Sequence, residues 1–297
     1  MFKIGRLYHV IHVTSDFEAA DRWYHDVFSP QSFYKGYHKV AMRDASLLAI
    51  GDLVMEPLAP RAGVAGVERS ALYKFRERFG QRLHSIAWYV PDAGAVYERL
   101  KEHKVRMLGE GGGPLEGAPK RGGIFTHPRD TFGQHEFAVP GGAPDPRLQP
   151  GWSTAFWRDQ HLLGIERASH VTVVVRDLAK AKAFYAGVLG GRLLHEGDSS
   201  EDRALKAFLF IGEATVVELA QPLSDEGRLG KDLAQNGEII HSVTFKVRDV
   251  AKAEAFLKGN GMRLQERRPD SFILDPADSF GAVFGFTQRS VPNDPRR

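Results

Sequence analysis

Hydrophobic and polar positions change rhythm twice within residues 166–191, ERASHVTVVVRDLAKAKAFYAGVLGG. His170, Thr172 and Val174 alternate with Val171, Val173 and Val175, the period-two pattern of a strand. After Arg176 and Asp177, the residues Leu178, Ala181, Phe184, Tyr185, Val188 and Leu189 recur at three- and four-residue steps, which predicts an amphipathic helix. Gly190 and Gly191 end it. The stretch LYHVIHVTSDFEAADRWYHDVFSP near the N-terminus repeats this pattern at an offset of 161, pairing His9 with His170, Asp16 with Asp177 and Tyr24 with Tyr185. Two further copies begin at Leu83 and Ile240; they align with each other at an offset of 157, pairing His84 with His241 and Asp92 with Asp249.

Each copy is followed by short apolar runs punctuated by Gly, Asp or Pro, the mark of strands and turns. Glu56 falls on Glu218 and Pro60 on Pro222; Asp130 falls on Asp278 and Gly133 on Gly281. The chain therefore reads as an α+β protein of four strand–helix–strand–strand–strand modules, two in each half. The predicted organisation is a domain at 1–140 with modules 5–60 and 82–140, a linker at 141–164, and a domain at 165–290 with modules 166–223 and 238–288. Residues 61–81 carry a helical pattern (Leu72, Phe75, Phe79) joining the first two modules. In the linker, Trp152, Phe156 and Trp157 are expected to pack between the halves, with a lid as the alternative. A glycine-rich loop at 109–123 has no counterpart in the last module, and it lacks the Gly-Lys-Ser/Thr ending of a phosphate loop.

Composition narrows the function. The 297 residues are 42% hydrophobic and 26% charged with a net charge of +3, ordinary for a globular protein and without a dense basic cluster for nucleic acid. The absence of cysteine removes thiolate nucleophiles, disulfides and zinc–thiolate sites. No N-terminal apolar run reads as a signal peptide and no 18-residue apolar segment would span a bilayer, so a cytoplasmic protein without membrane or nucleic-acid partners is expected.

Four such modules, with His in the first strand of a unit and Glu near the end of its last strand, resemble the vicinal oxygen chelate superfamily, which includes glyoxalase I, methylmalonyl-CoA epimerase, extradiol dioxygenases and the fosfomycin and bleomycin resistance proteins. The resemblance covers about residues 5–288, and FLFIGEATVVELAQPLSDEGRLGKDLAQNGEIIHSVTFKV looks most like the epimerase-type members. It implies two glyoxalase-like half-barrel domains. Two modules form each cup, and a divalent metal (Zn, Mn, Fe, Ni or Co) sits between residues of the first and last strands. Imidazole and carboxylate suit such a cation, and its open positions polarise a carbonyl while a neighbouring base moves the proton.

Carried over, the resemblance implies His9, Glu56, His84 and Glu136 as metal ligands, with Glu56 or Glu136 as base, and His170, Glu218 and His241 as a second candidate set. Counting back from Asp92 and Asp249 places the family histidine at Ser85 and Ser242, with His84 and His241 one residue early; the last carboxylate position reads as Phe137 and Gly285, with Glu136 one early. Strand parity then sends His84 and Glu136 to the wrong face unless a bulge re-aims them. His12 has the opposite parity to His9; His38, His127 and His135 are candidates to line the pocket. Tyr89, Ser85, Ser242 and Lys246 are candidate substrate contacts, Lys246 as a partner for Glu218 or a substrate carboxylate. The expected function is a metal-dependent glyoxalase- or epimerase-type enzyme doing proton-transfer, isomerase or lyase chemistry on a small oxygenated molecule. An extradiol dioxygenase and a metal-free binding or resistance protein are the alternatives, and a homodimer is left open.

Overall fold

The computed structural model describes residues 2–120, 122–139 and 141–296. In the first half, β1 (Leu7–Val13) leads into α1 (Phe17–Phe28) and then β2 (Gln31–His38), β3 (Arg43–Ile50) and β4 (Leu53–Pro60). Helix α2 (Ala71–Phe79) connects to β5 (Arg82–Tyr89), α3 (Ala93–Glu102), β6 (Met107–Leu108), β7 (Gly123–Thr126), the single turn α4 (Pro128–Thr131) and β8 (Gln134–Ala138). The second half repeats the series: β9 (Ile165–Val174), α5 (Leu178–Lys182, widening into a looser turn over Ala183–Val188), β10 (Arg192–Ser199), β11 (Ala204–Ile211) and β12 (Thr215–Pro222). Helix α6 (Gly227–Asn236) then leads to β13 (Ile239–Val247), α7 (Val250–Gly259), β14 (Leu264–Arg268), β15 (Ser271–Leu274) and β16 (Val283–Thr287).

Each half is one eight-stranded sheet, in the orders β2-β3-β4-β1-β5-β8-β7-β6 and β10-β11-β12-β9-β13-β16-β15-β14. The second order is the first shifted by eight strands, which is the sequence repeat in three dimensions. The four aspartates that mark the repeat do the same job. Asp16, Asp92, Asp177 and Asp249 each cap a helix by accepting from the backbone N–H three residues on, at 3.0–3.1 Å.

Within each sheet the first strands of the two modules run antiparallel at the centre, and their register slips twice in the first sheet and three times in the second. Leu7 opposes Trp88 and Val10 opposes Ile86, so Tyr8 and His9 together face Ala87. Val10 opposes Ile86 and His12 opposes Leu83, so His84 and Ser85 together face Ile11. Both bulges recur in the second half, Ser169–His170 against Thr244 and His241–Ser242 against Thr172. Two residues opposite one break the alternation of faces, which is why parity counting misplaces their side chains.

The opposite faces of the two sheets share one core that runs through both halves. Helix α1 lies against the last module: Trp23 stacks on Phe284 at 5.8 Å and Phe28 tilts against Phe245 at 5.5 Å. The mirrored contact sets Phe132 against Phe184 at 6.0 Å. His12 joins the halves, its Nδ1 accepting from Tyr24 O–H at 3.0 Å and its Nε2–H donating to the Phe280 carbonyl at 2.8 Å. The backbones also touch. A side chain at Gly212 would place Cβ 2.0 Å from the Gly5 carbonyl oxygen, and one at Gly281 1.8 Å from that of Gln81. The aromatic linker packs as expected at Trp157, which is buried, donates to the Phe28 carbonyl at 2.9 Å and carries Trp152 against it, whereas Phe156 is exposed.

Candidate functional site

The N-terminal cup is a cavity of about 650 Å³. Its floor holds His9 from β1, Glu56 from β4 and Glu136 from β8. Glu56 and His9 meet because β1 and β4 are parallel neighbours, with Ile11 opposite Glu56. Glu136 lies opposite Ala87 and so shares the cup face with Tyr89. His9 Nε2 stands 3.0 Å from Glu56 Oε2 and 3.4 Å from Glu136 Oε2. Arg43, at the start of β3, donates to the other Glu56 oxygen at 2.5 Å. Burial alone would lower the His9 pKa, but the two carboxylates overcome it and raise it to about 9. Burial alone would raise that of Glu56, but Arg43 and His9 hold it at about 2.

The aromatic wall comes from the first bulge. It turns Tyr8 into the cup beside His9, with ring centroids 4.3 Å apart, and Tyr8 stacks on Tyr89 at 4.4 Å. Tyr89 donates to Asp145 at 3.2 Å. Burial and the neighbouring carboxylates raise the Tyr8 hydroxyl well above its ordinary range, so it is a neutral donor. The glycine-rich loop borders the cup, contributing Glu110 and Lys120, and Glu110 lies 3.9 Å from His38 across the mouth.

The fit of a divalent cation follows from what the buried atoms lack. Among the described residues His9 Nδ1 has no hydrogen-bond partner, and His9 Nε2 and Glu56 Oε2 face each other at 3.0 Å without a well-aligned hydrogen bond, although burial makes that costly. Imidazole nitrogen and carboxylate oxygen are the donors such a cation takes. Among the described residues no group of three or more His, Cys, Asp or Glu side chains is already drawn up around a common point for a metal. The fit is therefore a His9–Glu56 pair with Glu136 within reach as a third donor.

Three readings of the sequence need correcting here. His84 does not join this group: the second bulge turns it toward α2, where it bonds Ser85 at 3.0 Å and meets Phe75 edge-on at 4.4 Å, and burial lowers its pKa to about 4. Ser85 is buried against it, not on the cavity wall. Phe137 is not at the carboxylate position; it is buried in the core, and Glu136 is the residue in the cup. The cause is one extra residue, Ala282, before β16. Glu136 opposes Ala87 as Gly285 opposes Thr244, so the true equivalent of Glu136 is Gly285.

The C-terminal cup, a cavity of about 450 Å³, is built differently. Glu218 accepts from Lys206 at 2.7 Å and from Thr172 at 2.6 Å, so both its oxygens are taken. His170 is 3.7 Å from Glu218, bonds Ser169, and is held neutral by burial with a pKa of about 4. His241 is turned to α6, donating to Asp232 at 2.5 Å and accepting from Arg228 at 2.8 Å. Lys246 pairs with Glu166 at 3.2 Å and Ser290 at 2.9 Å, not with Glu218. Ser242 lines the cavity. The second candidate set thus does not assemble, and an ammonium stands where a metal would need Glu218.

Elsewhere, His38 lines the N-terminal cup, while His135 is a core residue accepting from Trp88 at 3.2 Å and His127 caps α4. Sequence reasoning missed Tyr8, which only the bulge brings in, and Arg43 and Lys206. The last two were signalled by cations on the cup parity of otherwise apolar strands, with Arg43 in step with Ala45 and Leu47, and Lys206 in step with Ala204 and Phe208.

The family model of the Glyoxalase/Bleomycin resistance protein/Dioxygenase superfamily matches residues 167–278. The chain is 31% identical over 135 residues to an ethylmalonyl-CoA/methylmalonyl-CoA epimerase of Cereibacter sphaeroides, covering 44% of this chain and 93% of that one. It belongs to this superfamily. An uncharacterized Bacillus subtilis protein, YqjC, is 26% identical over 105 residues, 35% of this chain and 74% of its own. A mutant 4-hydroxymandelate synthase from Streptomyces coelicolor superposes with a TM-score of 0.71 over 98% of this chain and 94% of its own, at 14% identity; it establishes the two-half architecture and nothing about the chemistry. Superfamily members typically bind a divalent metal. The family model falls on the second half, whereas the residues suited to a cation stand in the first.

Proposed function

We propose that the N-terminal cup is a divalent-cation site for proton transfer next to a carbonyl, in the manner of an epimerase or a glyoxalase, on a small oxygenated substrate. The observation that carries this is the buried pair His9 Nε2 and Glu56 Oε2, 3.0 Å apart but in no well-aligned hydrogen bond among the described residues, with Glu136 3.4 Å from the same nitrogen. His9 and Glu56 would hold the cation, with Glu136 beside it, 3.4 Å from His9 Nε2. When bound, such a cation draws charge from a chelated carbonyl and stabilises the enolate formed beside it. Arg43 occupies one oxygen of Glu56 and leaves the other for the cation. With its pKa near 2, Glu56 is a weak base and serves as ligand. Glu136, whose side chain is the more exposed of the two carboxylates, takes the proton from the carbon. The Tyr8 and Tyr89 rings wall the substrate and keep water from the enolate face.

The C. sphaeroides relative supports a substituted malonyl thioester as the first substrate to test. Purified protein is analysed for bound metal and then incubated with a 2-methylmalonyl thioester in deuterium oxide. Metal-dependent entry of deuterium at C2, lost in Glu136→Gln, is the expected result; a protein that takes up no Mn, Co, Ni, Fe or Zn sinks the reading. Dioxygenase chemistry in the C-terminal half has no support in its side chains, because Lys206 and Thr172 occupy Glu218 and the last-strand position is Gly285. That cup is better suited to holding an organic molecule without metal.

A further inference from the structure

The same three residues follow the last strand of each half, Asp145-Pro146-Arg147 after β8 and Asp294-Pro295-Arg296 after β16. Each arginine folds back on its aspartate and clamps distant carbonyls, two for Arg147 and three for Arg296, which also donates to Ala168 at 3.0 Å. Arg147 is paired with Asp145 at 2.6 Å, both side chains fully buried, and donates to the Asp52 carbonyl at 2.9 Å and the Tyr8 carbonyl at 2.7 Å. Arg296 pairs with Asp294 at 2.9 Å and donates to the carbonyls of Ala214 at 3.0 Å and Ser169 at 2.6 Å. Tyr8 and Ser169 are the residues immediately before His9 and His170, inside the equivalent bulges. The clasp therefore grips each sheet at the point where an extra residue turns a histidine into the cup.

The two clasps differ in one respect. Asp145 also accepts from Tyr89 O–H at 3.2 Å, tying the clasp to the aromatic wall. The residue matching Tyr89 in the second half is Lys246, which bonds Glu166 and Ser290. So the N-terminal clasp also holds the aromatic wall of its cup, and the C-terminal clasp, whose Asp294 faces Arg167 at 3.8 Å, does not.

We propose that Asp145 and Arg147 are positioning residues for the N-terminal site: by holding the Tyr8 carbonyl and the Tyr89 hydroxyl they keep the bulge that aims His9 at Glu56 and Glu136. The physical reason is that a bulge can slide by one residue at little cost in pairing, and such a slip would carry His9 to the opposite face of the sheet. A planar guanidinium fixed by its own aspartate, with donors pointing to two carbonyls, resists that slip; a lysine, a single point charge, cannot replace it. This rests on the reading of the N-terminal cup as a cation site, and the second half supplies an internal control.

The test compares wild type, Arg147→Lys and Arg296→Lys by calorimetric titration with cobalt chloride, alongside thermal unfolding. A crystal structure of Arg147→Lys gives a readout that needs no metal. Both variants should lose comparable stability. Arg147→Lys should bind cobalt at least tenfold more weakly, with the Tyr8–His9 bulge shifted, while Arg296→Lys binds as wild type. Equal cobalt affinity in the two variants, or an unshifted bulge in Arg147→Lys, overturns the proposal. Wild type that binds no cobalt overturns the cation reading, and the bulge in the variant structure still decides the clasp. If Arg147→Lys does not fold, Tyr89→Phe, which removes one hydrogen bond to Asp145 and spares the cavity shape, is titrated in its place; a less than twofold loss of cobalt affinity overturns the proposal.

Discussion

Lys206 Nζ lies 2.7 Å from Glu218 Oε1, and the matching position in the first half is Ala45. At this position a methyl in one cup answers an ammonium in the other, in addition to the exchange of Glu136 for Gly285. In the second half Lys206 bridges Glu218 and Asp202, both buried, at 2.7 and 2.6 Å, and burial of Glu218 is overcome so that its pKa falls to about 2. Lys206→Ala leaves the buried Glu218 without its cation, while Asp202 keeps Arg228 and Arg268, and the expected loss is about 3–5 kcal/mol of unfolding free energy. The converse substitution, Ala45→Lys, places an ammonium beside Glu56 and should abolish cobalt binding in a folded protein. Denaturant titration checks the first and calorimetry the second; retention of metal by Ala45→Lys would show that Glu56 is not a ligand.

Glu56 and Glu136 are expected to separate by role. Glu56 has one oxygen bonded to Arg43 and the other facing His9, so Glu56→Gln removes a ligand and should lower metal affinity by a hundredfold or more. Glu136→Gln removes the base. It should cut deuterium exchange by about 10²- to 10⁴-fold, the usual worth of a positioned base, while metal affinity drops less than tenfold. Metal titration and exchange rates measured on the same two variants decide this, and an inverted pattern would exchange the roles.

Arg43 is expected to set the basicity of Glu56. Arg43→Met removes the only cation bonded to Glu56 Oε1 among the described residues, leaving a buried carboxylate oxygen unpaired. Its pKa should rise from about 2; metal binding, which needs Glu56 ionised and displaces the proton that His9 carries below about pH 9, weakens from pH 8 to pH 5 in both proteins and more steeply in the variant. Wild type should show a smaller difference. Cobalt affinity at the two pH values is the measurement, and identical pH dependence in the two proteins counts against the role.

The repeat was open to sequence reading because each module carries its own signals: a capping aspartate, a period-two strand and a period-3.6 helix within thirty residues. His9 and His170 were legible for the same reason, at the offset of 161 shared by their capping aspartates, and Glu56 and Glu218, at 162, because the Pro four residues on moves with them. Glu136 was found but assigned the wrong equivalent. Ala282 is a single inserted residue in a stretch whose flanking Asp and Gly both align, so nothing in the residues marks the slip. Bulges hide in the same way. Whether His84 faces the cup or α2, and whether Tyr8 joins His9, depends on which strand carries the extra residue, and both strands of the β1–β5 pair carry one. Arg43 and Lys206 required knowing which rung of β3 or β11 stands beside the glutamate, a matter of register across a hairpin. The clasp needed contacts between residues 8, 52 and 147, which no local pattern encodes.

Two core histidines should govern stability in mild acid. His12 accepts from Tyr24 at Nδ1 and donates to the Phe280 carbonyl from Nε2; His135 accepts from Trp88 at Nδ1 and donates to Tyr185 at 3.1 Å. In each ring a new proton would fall on Nδ1, facing the hydroxyl or indole N–H that now donates to it. Burial accordingly lowers both pKa values from 6.5 to about 4. The unfolded chain binds these protons near pH 6.5 and the folded one only near pH 4, so in that interval the unfolded state carries more protons and stability rises with pH. The stability is fully present above about pH 6.5 and is lost as pH falls toward 4, at about 1.4 kcal/mol per pH unit for each histidine. His84 and His170, also lowered to about 4 by burial, act in the same direction. His9 acts oppositely: its pKa of about 9 gives stability below pH 6.5 that disappears as pH rises through 9. His12→Gln keeps a donor toward Phe280 without a titrating group. Its unfolding free energy between pH 4 and 6.5 should have a slope shallower than wild type by one proton, whatever its absolute stability. Denaturant titrations at half-unit pH steps measure that slope, and an unchanged value would mean that His12 already carries its proton in the folded protein.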